Sequence, residues 1–480
     1  MTMNAGNQRF EKIRHSLPDG IVASSDSHVL RAYSQDLWPR KMIEIREQGP
    51  DPEPAMDLVL WPENAAQISD VARWAVRMDC ALYPYGAGSG VCGATTADAG
   101  EPRPRVVVDL KRMNCVRSID RKSMTAWVEA GIIGENLERH LNQEGLTLGH
   151  FPSSLYCSSL GGWLATRSAG QLSTKYGKIE DMVLSLECVF ADGTVAETAR
   201  APRSAMGADW TQLLLGTEGT LCFFSAACVL VHPLPEKRVG LSFETPDIRT
   251  AMEFARMALQ AGLRPAALRI YDPLETSLTL SRAVLKESGF GGGAAIVAQF
   301  EGGAAVTDAG AGELLRMAPL AGARRIGDQL AQHWWEHRYD ISYKQQLIMS
   351  HGRMILDTFE VAATWDKLQA VYEAVKNVNI GFGIVLAHLS HFYHAGANIY
   401  FSIVAHAGLT PDVPARYDSI WSDVMRAAEG AGATLSHHHG VGRLRREWIM
   451  RERADWMKIF LKVKNGFDPE NHLNPGKMGG

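Results

Sequence analysis

The stretch GATLSHHHGVGRLRREW, residues 432–448, sets three imidazoles side by side at His437, His438 and His439, ahead of a glycine-punctuated basic run. Imidazole is the one side chain whose ordinary pKa lies close to neutrality, so such a cluster can shuttle protons or, when charged, hold an anion. A solvated surface tract is the bland alternative. A single metal ion fits poorly, because no Glu follows at helical zinc spacing and no Cys pair lies nearby; no metal ligand is assigned. If the segment is extended, His437 and His439 face one way and His438 the other.

Other residue types could share that chemistry. Tyr400 in NIYF carries a phenol and Arg269 in LRIYD a guanidinium, but nothing in their spacing alone gives either a role. Each alone would more often be a packed tyrosine or an ion-pair arginine. Arg443, Arg445 and Arg446 read as a solvated basic face, with Arg443 the phosphate candidate among them. His388, His391 and His394 would share a face on a helix; in the strand expected here they do not, which leaves His391 a secondary candidate. Trp334 and Trp335 read as core or tunnel lining.

GSGVCG, residues 88–93, matches the dinucleotide fingerprint GxGxxG, but ATTADAGEPRPR follows and cannot be the required helix. The Rossmann reading is therefore rejected. PYGAGSG (84–90) can instead form a loop whose N–H groups cradle an anion, small residues letting the main chain approach closely. PSSLYCSSLGGWLATRSAG (152–170) and LGTEGTL (215–221) have the same character. Taken singly, each reads as an ordinary turn; their order and spacing carry the argument.

The elements that must hold these groups follow from periodicity. At 480 residues the chain exceeds one core, so two domains or more are expected. Residues 1–55 read as a polar lead-in with some helix. From 56 to 235 the texture is α/β: DLVLW as a strand, a helix opened by Pro62, RVVVDL and TAWVEAG as strands, and a hairpin turning at Asp192-Gly193. Residues 236–430 read as an α+β domain, an antiparallel sheet backed by helices, with 311–325 helical and 383–408 a strand pair. Residues 431–480 carry the histidines back towards the first domain.

Composition excludes several classes. Hydrophobic content of 46% and charged content of 21% are those of a globular protein, and a net charge of −4 gives no support to nucleic acid as a partner. Seven cysteines without a CxxC pair fit reduced thiols in a cytosol. No signal peptide opens the chain, and its longest apolar run is too short to span a bilayer. A cytoplasmic protein is expected; peripheral contact with a membrane surface and a homodimer are both compatible with that.

PYGAGSG, PSSLYCSSLGGWLATRSAG, KYGKIEDMV, ADGT and GTEGTL together resemble the FAD-binding domain of the vanillyl-alcohol oxidase-type flavoproteins. LRIYD, DTFE, YHAGANIYFS and LSHHHGVGRLRREW narrow the resemblance to the alkyldihydroxyacetonephosphate synthase family. The resemblance implies a two-part FAD-binding domain with an antiparallel-sheet cap. It implies non-covalent FAD held by Pro84, Tyr85, Gly86, Ala87, Gly88, Ser89 and Gly90, by Pro152, Ser153, Ser154, Ser158, Ser159, Gly162, Thr166, Ser168 and Ala169, and by Glu218, Gly219 and Thr220. It implies exchange of the acyl group of acyl-dihydroxyacetone phosphate for a long-chain alcohol, with flavin N5 holding the substrate's C1 meanwhile. Tyr400, His437, His438 and His439 would be catalytic, and Arg269, Lys344 and Arg443 would bind substrate.

Two positions depart from that pattern. Asn398 stands where the family has a reactive cysteine, and Lys344 or Gln345 near where it has a substrate-binding arginine; a lysine there would offer a point charge without the arginine fork. Neither end carries a peroxisomal address. The alternatives are an FAD-dependent oxidase or dehydrogenase of a hydroxy acid or alcohol, and a non-catalytic lipid- or flavin-binding protein.

Overall fold

The computed structural model describes residues 13–48, 55–98, 100–198, 201–340 and 352–479. In the first sheet, β2 (Leu58–Trp61), β4 (Arg105–Asp109) and β3 (Ala81–Tyr85) are parallel, and β1 (Val22–Ser24) adds an antiparallel edge, in the order β1-β2-β4-β3. Leu58, Val59 and Leu60 are all buried, as are Val106, Val107 and Val108. Such unbroken apolar runs suit strands covered on both faces. The helix Ala65–Met78 covers one side with Ile68, Val71 and Trp74. It starts at Asn64, whose side chain caps Gln67 N at 2.9 Å, and not at Pro62.

The second sheet is antiparallel, ordered β5 (Val116–Asp120), β6 (Thr125–Glu129), β10 (Phe223–Leu230), β8 (Val183–Val189) and β9 (Val195–Glu197). The β8–β9 hairpin turns at Asp192-Gly193, with Gly193 at φ 82°, as its sequence requires. A short ribbon pairs β7 (Leu146–Thr147) with β11 (His232–Pro233).

The third sheet has seven antiparallel strands: β15 (Arg324–Ile326), β12 (Lys237–Thr245), β14 (Ala294–Gly302), β13 (Ala267–Tyr271), β17 (Gly383–Phe392), β18 (Gly396–His406) and β16 (Met354–Thr364). Residues 311–325 are only partly helical. The helix Ala304–Met317 gives way to a tight turn at Ala318–Ala321 and then to β15, because Pro319 cannot continue the ladder and Gly322 leaves at φ 74°.

Alternation along these strands separates core from site. Ile270, Phe359, Val361, Leu389, Ile399 and Phe401 turn to one face, in a core shared with the helices Ile248–Gln260, Trp365–Lys376 and Val413–Gly430. Phe359 and Phe401 stack at 5.0 Å, and burying each such ring stabilises by roughly 2–3 kcal/mol. The other face presents Arg269, Tyr271, Glu360, His388 and Tyr400. In register, Glu360 opposes Tyr400, Tyr400 opposes His388, and His388 opposes Tyr271. Four strands thus contribute to one row.

After the last long helix the chain returns to the first sheet. Leu82 N donates to His472 O and Asn474 N to Leu82 O, both at 2.7 Å. Among the described residues no helix is long and apolar enough to cross a membrane.

Candidate active site

A cavity of about 910 Å³ lies between the polar face of the third sheet and the loops of the first two. Every residue of the 84–90 loop lines it. Among the described residues, the N–H groups of Ala87, Gly88, Ser89 and Gly90 find no protein acceptor, so four donors remain on this loop. Gly86 packs on the helix Leu160–Thr166, where a Cβ would run into Ser159 Oγ.

Pro152, Ser153, Ser154, Ser158, Ser159, Gly162, Thr166, Ser168 and Ala169 line the same cavity, with Glu218 and Gly219. Several of their hydroxyls are engaged within the protein. Ser158 Oγ donates to Ser154 O at 2.8 Å and accepts from Trp163 Nε1 at 2.7 Å; Thr166 Oγ1 donates to Gly162 O at 3.0 Å. Thr220 is not part of the lining. Its hydroxyl donates to Thr217 O at 2.7 Å and its carbonyl accepts from Lys464 Nζ at 2.8 Å, which turns it into the protein. Glu218 accepts from the N–H groups of Val441 and Gly442, tying this loop to the chain just after the histidines. Cys92 points away, its buried sulfur accepting from Arg445 Nη1 at 2.8 Å.

At the sheet end of the cavity stands Tyr400. Its hydroxyl donates to Thr358 Oγ1 at 2.8 Å. Burial pushes the phenol well above its usual pKa, so it is neutral and protonated. His388 stacks on its ring, and His438 and His439 lie against it, at centroid distances of 4.8, 6.1 and 5.6 Å. Arg269 also lines the cavity, its Nη2 donating to His388 Nε2 at 2.8 Å, while among the described residues its buried Nε has no partner.

The histidine segment is not extended past Leu435. A single bridge joins Thr434 to Ala362, and the chain then coils around the carboxylate of Glu360. Glu360 Oε1 accepts from the N–H groups of His437, His438 and His439 at 3.0, 3.0 and 2.8 Å. Arg445 Nη2 pairs with Oε2, and His439 Nδ1 lies 3.2 Å from it. Burial alone would raise the Glu360 pKa, but Arg445 and His439 outweigh it and hold the carboxyl well below the usual range.

The coil overturns the expected pairing of faces. His438 and His439 line the cavity; His437 lies behind them. His437 Nε2 meets Tyr393 OH at 2.9 Å, its Nδ1 meets His438 Nδ1 at 3.0 Å, and its carbonyl accepts from Lys178 Nζ at 2.6 Å. Burial, then Lys178, lowers its pKa to about 3. Burial and His439 likewise hold His438 well below the ordinary imidazole range.

Arg443 does not reach the cavity: its Nη1 donates to Ala97 O at 3.2 Å on the far side of the glycine loop. Arg445 is no solvated residue but 2% exposed, the counter-ion of Glu360. Lys344 lies outside the described residues.

Sequence reasoning passed over Glu360 and Glu275 and gave His388 no role at the site. Glu360 and Glu275 are anions whose partners come from distant elements. His388 Nδ1 sits 2.9 Å from Glu275 Oε1. His391 reaches the cavity as well, because a bulge between Ser390 and Phe392, with His391 at φ 54°, breaks the strand alternation. Seen from sequence, period-two parity puts His388 and Tyr400 on whatever face each shares with its cross-strand neighbour, but register is needed to join them.

A family profile described as "FAD binding domain" matches residues 56–199, and one described as "FAD linked oxidases, C-terminal domain" matches residues 234–478. The chain is 30% identical over 461 residues to alkyldihydroxyacetonephosphate synthase of Caenorhabditis elegans, covering 90% of this chain and 76% of that protein. It is 29% identical to the enzyme of the same name from Dictyostelium discoideum, covering 96% and 79%. A solved alkyldihydroxyacetonephosphate synthase structure superposes with a TM-score of 0.80 at 25% identity, over 98% of this chain and 85% of that one. The free donors of the glycine loop and the absence of bulk at Gly86 suit the cofactor those profiles name. The chain belongs to the alkyldihydroxyacetonephosphate synthase family of FAD-binding flavoenzymes.

Proposed function

We propose that this enzyme exchanges the acyloxy group at C1 of an acyl-dihydroxyacetone phosphate for the alkoxy group of a long-chain alcohol. One C1–O bond breaks and another forms, and the alcohol's proton leaves with the carboxylate as a fatty acid. The observation that carries this reading is the convergence of Tyr400, His438, His439 and Arg269 on one cavity wall beside the glycine loop. FAD, when bound, supplies a ring able to act as covalent catalyst and electron acceptor. Residues of the 84–90 loop and of 152–169 would hold it without a covalent bond, since Cys92 is turned to Arg445.

The chain's own residues handle the protons and the head group. His438, neutral because it is buried, takes the proton of the incoming alcohol. Tyr400, a protonated phenol stacked on His388, is the donor and acceptor beside it. Arg269 pairs with the phosphate, its unpartnered Nε offering a further donor. The oxidase reading asks for a hydroxy acid or alcohol that bleaches the flavin and passes electrons on. Mixing the holoenzyme with acyl-dihydroxyacetone phosphate and hexadecanol separates the two. The expected outcome is an alkyl ether and free fatty acid in equal amounts with no electron acceptor consumed. Acceptor reduction in step with substrate loss would overturn it. Acid precipitation should leave all the yellow colour in the supernatant; colour in the pellet would refute non-covalent binding.

A further inference from the structure

Glu275, His388 and Arg269 form a line from a short helix packed on β13, β14 and β17 into the cavity. Glu275 is in the first turn of the helix Pro273–Thr279, fixed there by the Asp272 cap, which accepts from Glu275 N at 2.6 Å. Its Oε1 lies 2.9 Å from His388 Nδ1, and His388 Nε2 lies 2.8 Å from Arg269 Nη2. Both Glu275 and His388 are buried, at 5% and 6% exposure.

The partners determine where the imidazole proton sits. A guanidinium has donors only and does not lose its proton in a protein, so His388 Nε2 must accept. A neutral imidazole with Nε2 accepting carries its proton on Nδ1, and that proton goes to the Glu275 carboxylate. Both ring nitrogens are therefore committed, and His388 is left no atom with which to exchange a proton with a substrate. What it can do is hold Arg269. One Nη2 hydrogen is spent on His388, while the buried Nε has no acceptor among the described residues. The guanidinium is thus held by His388 and over the Tyr271 ring, with Nε left as a donor at the wall of the cavity.

We propose that Glu275 is a positioning residue that locks His388 as the Nδ1–H tautomer, so that the Nε2 lone pair holds Arg269 in place for the anionic head group of the substrate. The lock stands on the hydrogen-bond geometry; only the identity of the anion rests on the function proposed above. Without an acceptor at Glu275 the ring is free to take the Nε2–H tautomer, which sets N–H against N–H at Arg269 and releases the guanidinium. A glutamine preserves the lock, because its amide oxygen accepts from Nδ1–H as a carboxylate does.

The test uses the FAD-loaded enzyme labelled with 15N-histidine, His388 being assigned by its disappearance in His388→Phe. The wild type and Glu275→Gln should show a protonated Nδ1 and a bare Nε2; Glu275→Leu should lose that pattern. Titration with dihydroxyacetone phosphate should show Glu275→Leu and His388→Phe weakened by about tenfold or more, the scale of one charge-assisted hydrogen bond, with Glu275→Gln within about threefold of wild type. His388→Phe retains a ring to stack on Tyr400, so it reports the lost hold on Arg269 even if Glu275→Leu fails to fold. A protonated Nε2 in the wild type, or wild-type affinity in both disrupting variants, would overturn the lock. If dihydroxyacetone phosphate does not bind the wild type while the Nδ1–H pattern is present there and lost in Glu275→Leu, the head-group reading fails and the lock is supported.

Discussion

Tyr400 and His388 are direct cross-strand partners whose rings stack at 4.8 Å with 19° between their planes. The sheet itself therefore holds the phenol in place, and the hydroxyl is left to Thr358 and the cavity. Tyr400→Phe removes one hydroxyl and keeps the ring stack. It should fold, retain FAD and lose turnover by about a hundredfold or more, the scale expected for a proton-transfer group. Steady-state rates normalised to bound flavin check this, and near-normal turnover would remove Tyr400 from the chemistry.

The coil around Glu360 has its own consequence. Glu360→Ala leaves Arg445 buried without a counter-ion and three N–H groups without an acceptor. Breaking one side of such a pair costs about 3–5 kcal/mol. Chemical denaturation should show a loss of that size together with collapse of activity. A variant as stable as wild type would mean that the carboxylate does not organise the loop.

The three histidines should fail in different ways. His438→Ala and His439→Ala alter the cavity wall and should depress turnover with FAD retained. His437→Ala removes a group behind the wall, bonded to Tyr393 and His438, and should cost less turnover and more stability. Rates and melting temperatures measured on the same flavin-loaded preparations decide it; equal defects in all three would contradict the arrangement.

Burial sets the acid behaviour of this cluster. His437, held at about 3 by burial and by Lys178, and His438, also held well below the ordinary range, are neutral in the fold but titrate near 6.5 once unfolded. A depressed folded pKa gives stability that is present above the unfolded value and lost as pH falls through it towards the folded one. The melting temperature of the wild type should therefore drop relative to that of His437→Asn between about pH 7.5 and pH 5. Turnover per folded holoenzyme should follow the same pH profile around 6.5 in wild type and in His437→Asn; an acid limb there that His437→Asn removes would contradict a neutral His437.

The glycine loop is tested at Gly86. A methyl group there meets Oγ of Ser159, the N-cap of the helix Leu160–Thr166. Gly86→Ala should lower the FAD content of the purified protein, read as the ratio of flavin to protein absorbance, and Ser159→Ala should restore part of it. Full flavin in Gly86→Ala would mean that the close approach does not matter.

Much of this was legible in the sequence where the signal is local. Small residues in order marked the cavity's loop wall, and Asp192-Gly193 marked its hairpin. The apolar alternation of 383–408 gave the strand pair that carries His388 and Tyr400. What was hidden depends on register or on distant partners. Nothing local to Glu360 says that three consecutive N–H groups from 77 to 79 residues away will close on it. The same carboxylate bends the segment that alternation would leave extended, which is why the expected faces of His437 and His438 are exchanged. Arg445 reads as surface because its flanking residues are basic, and only the fold sets it against Glu360. His391 needed a bulge, and Glu275 a capped helix start brought under β17.

In the proposed reaction C1 of the ester exchanges one oxygen substituent for another, and 18O in the hydroxyl of the long-chain alcohol follows that exchange. Mass spectrometry of the products should find the label wholly in the ether linkage, with the released fatty acid unlabelled and no electron acceptor reduced. Label in a long-chain ester of the alcohol, or turnover that yields no ether and consumes acceptor, would contradict the exchange.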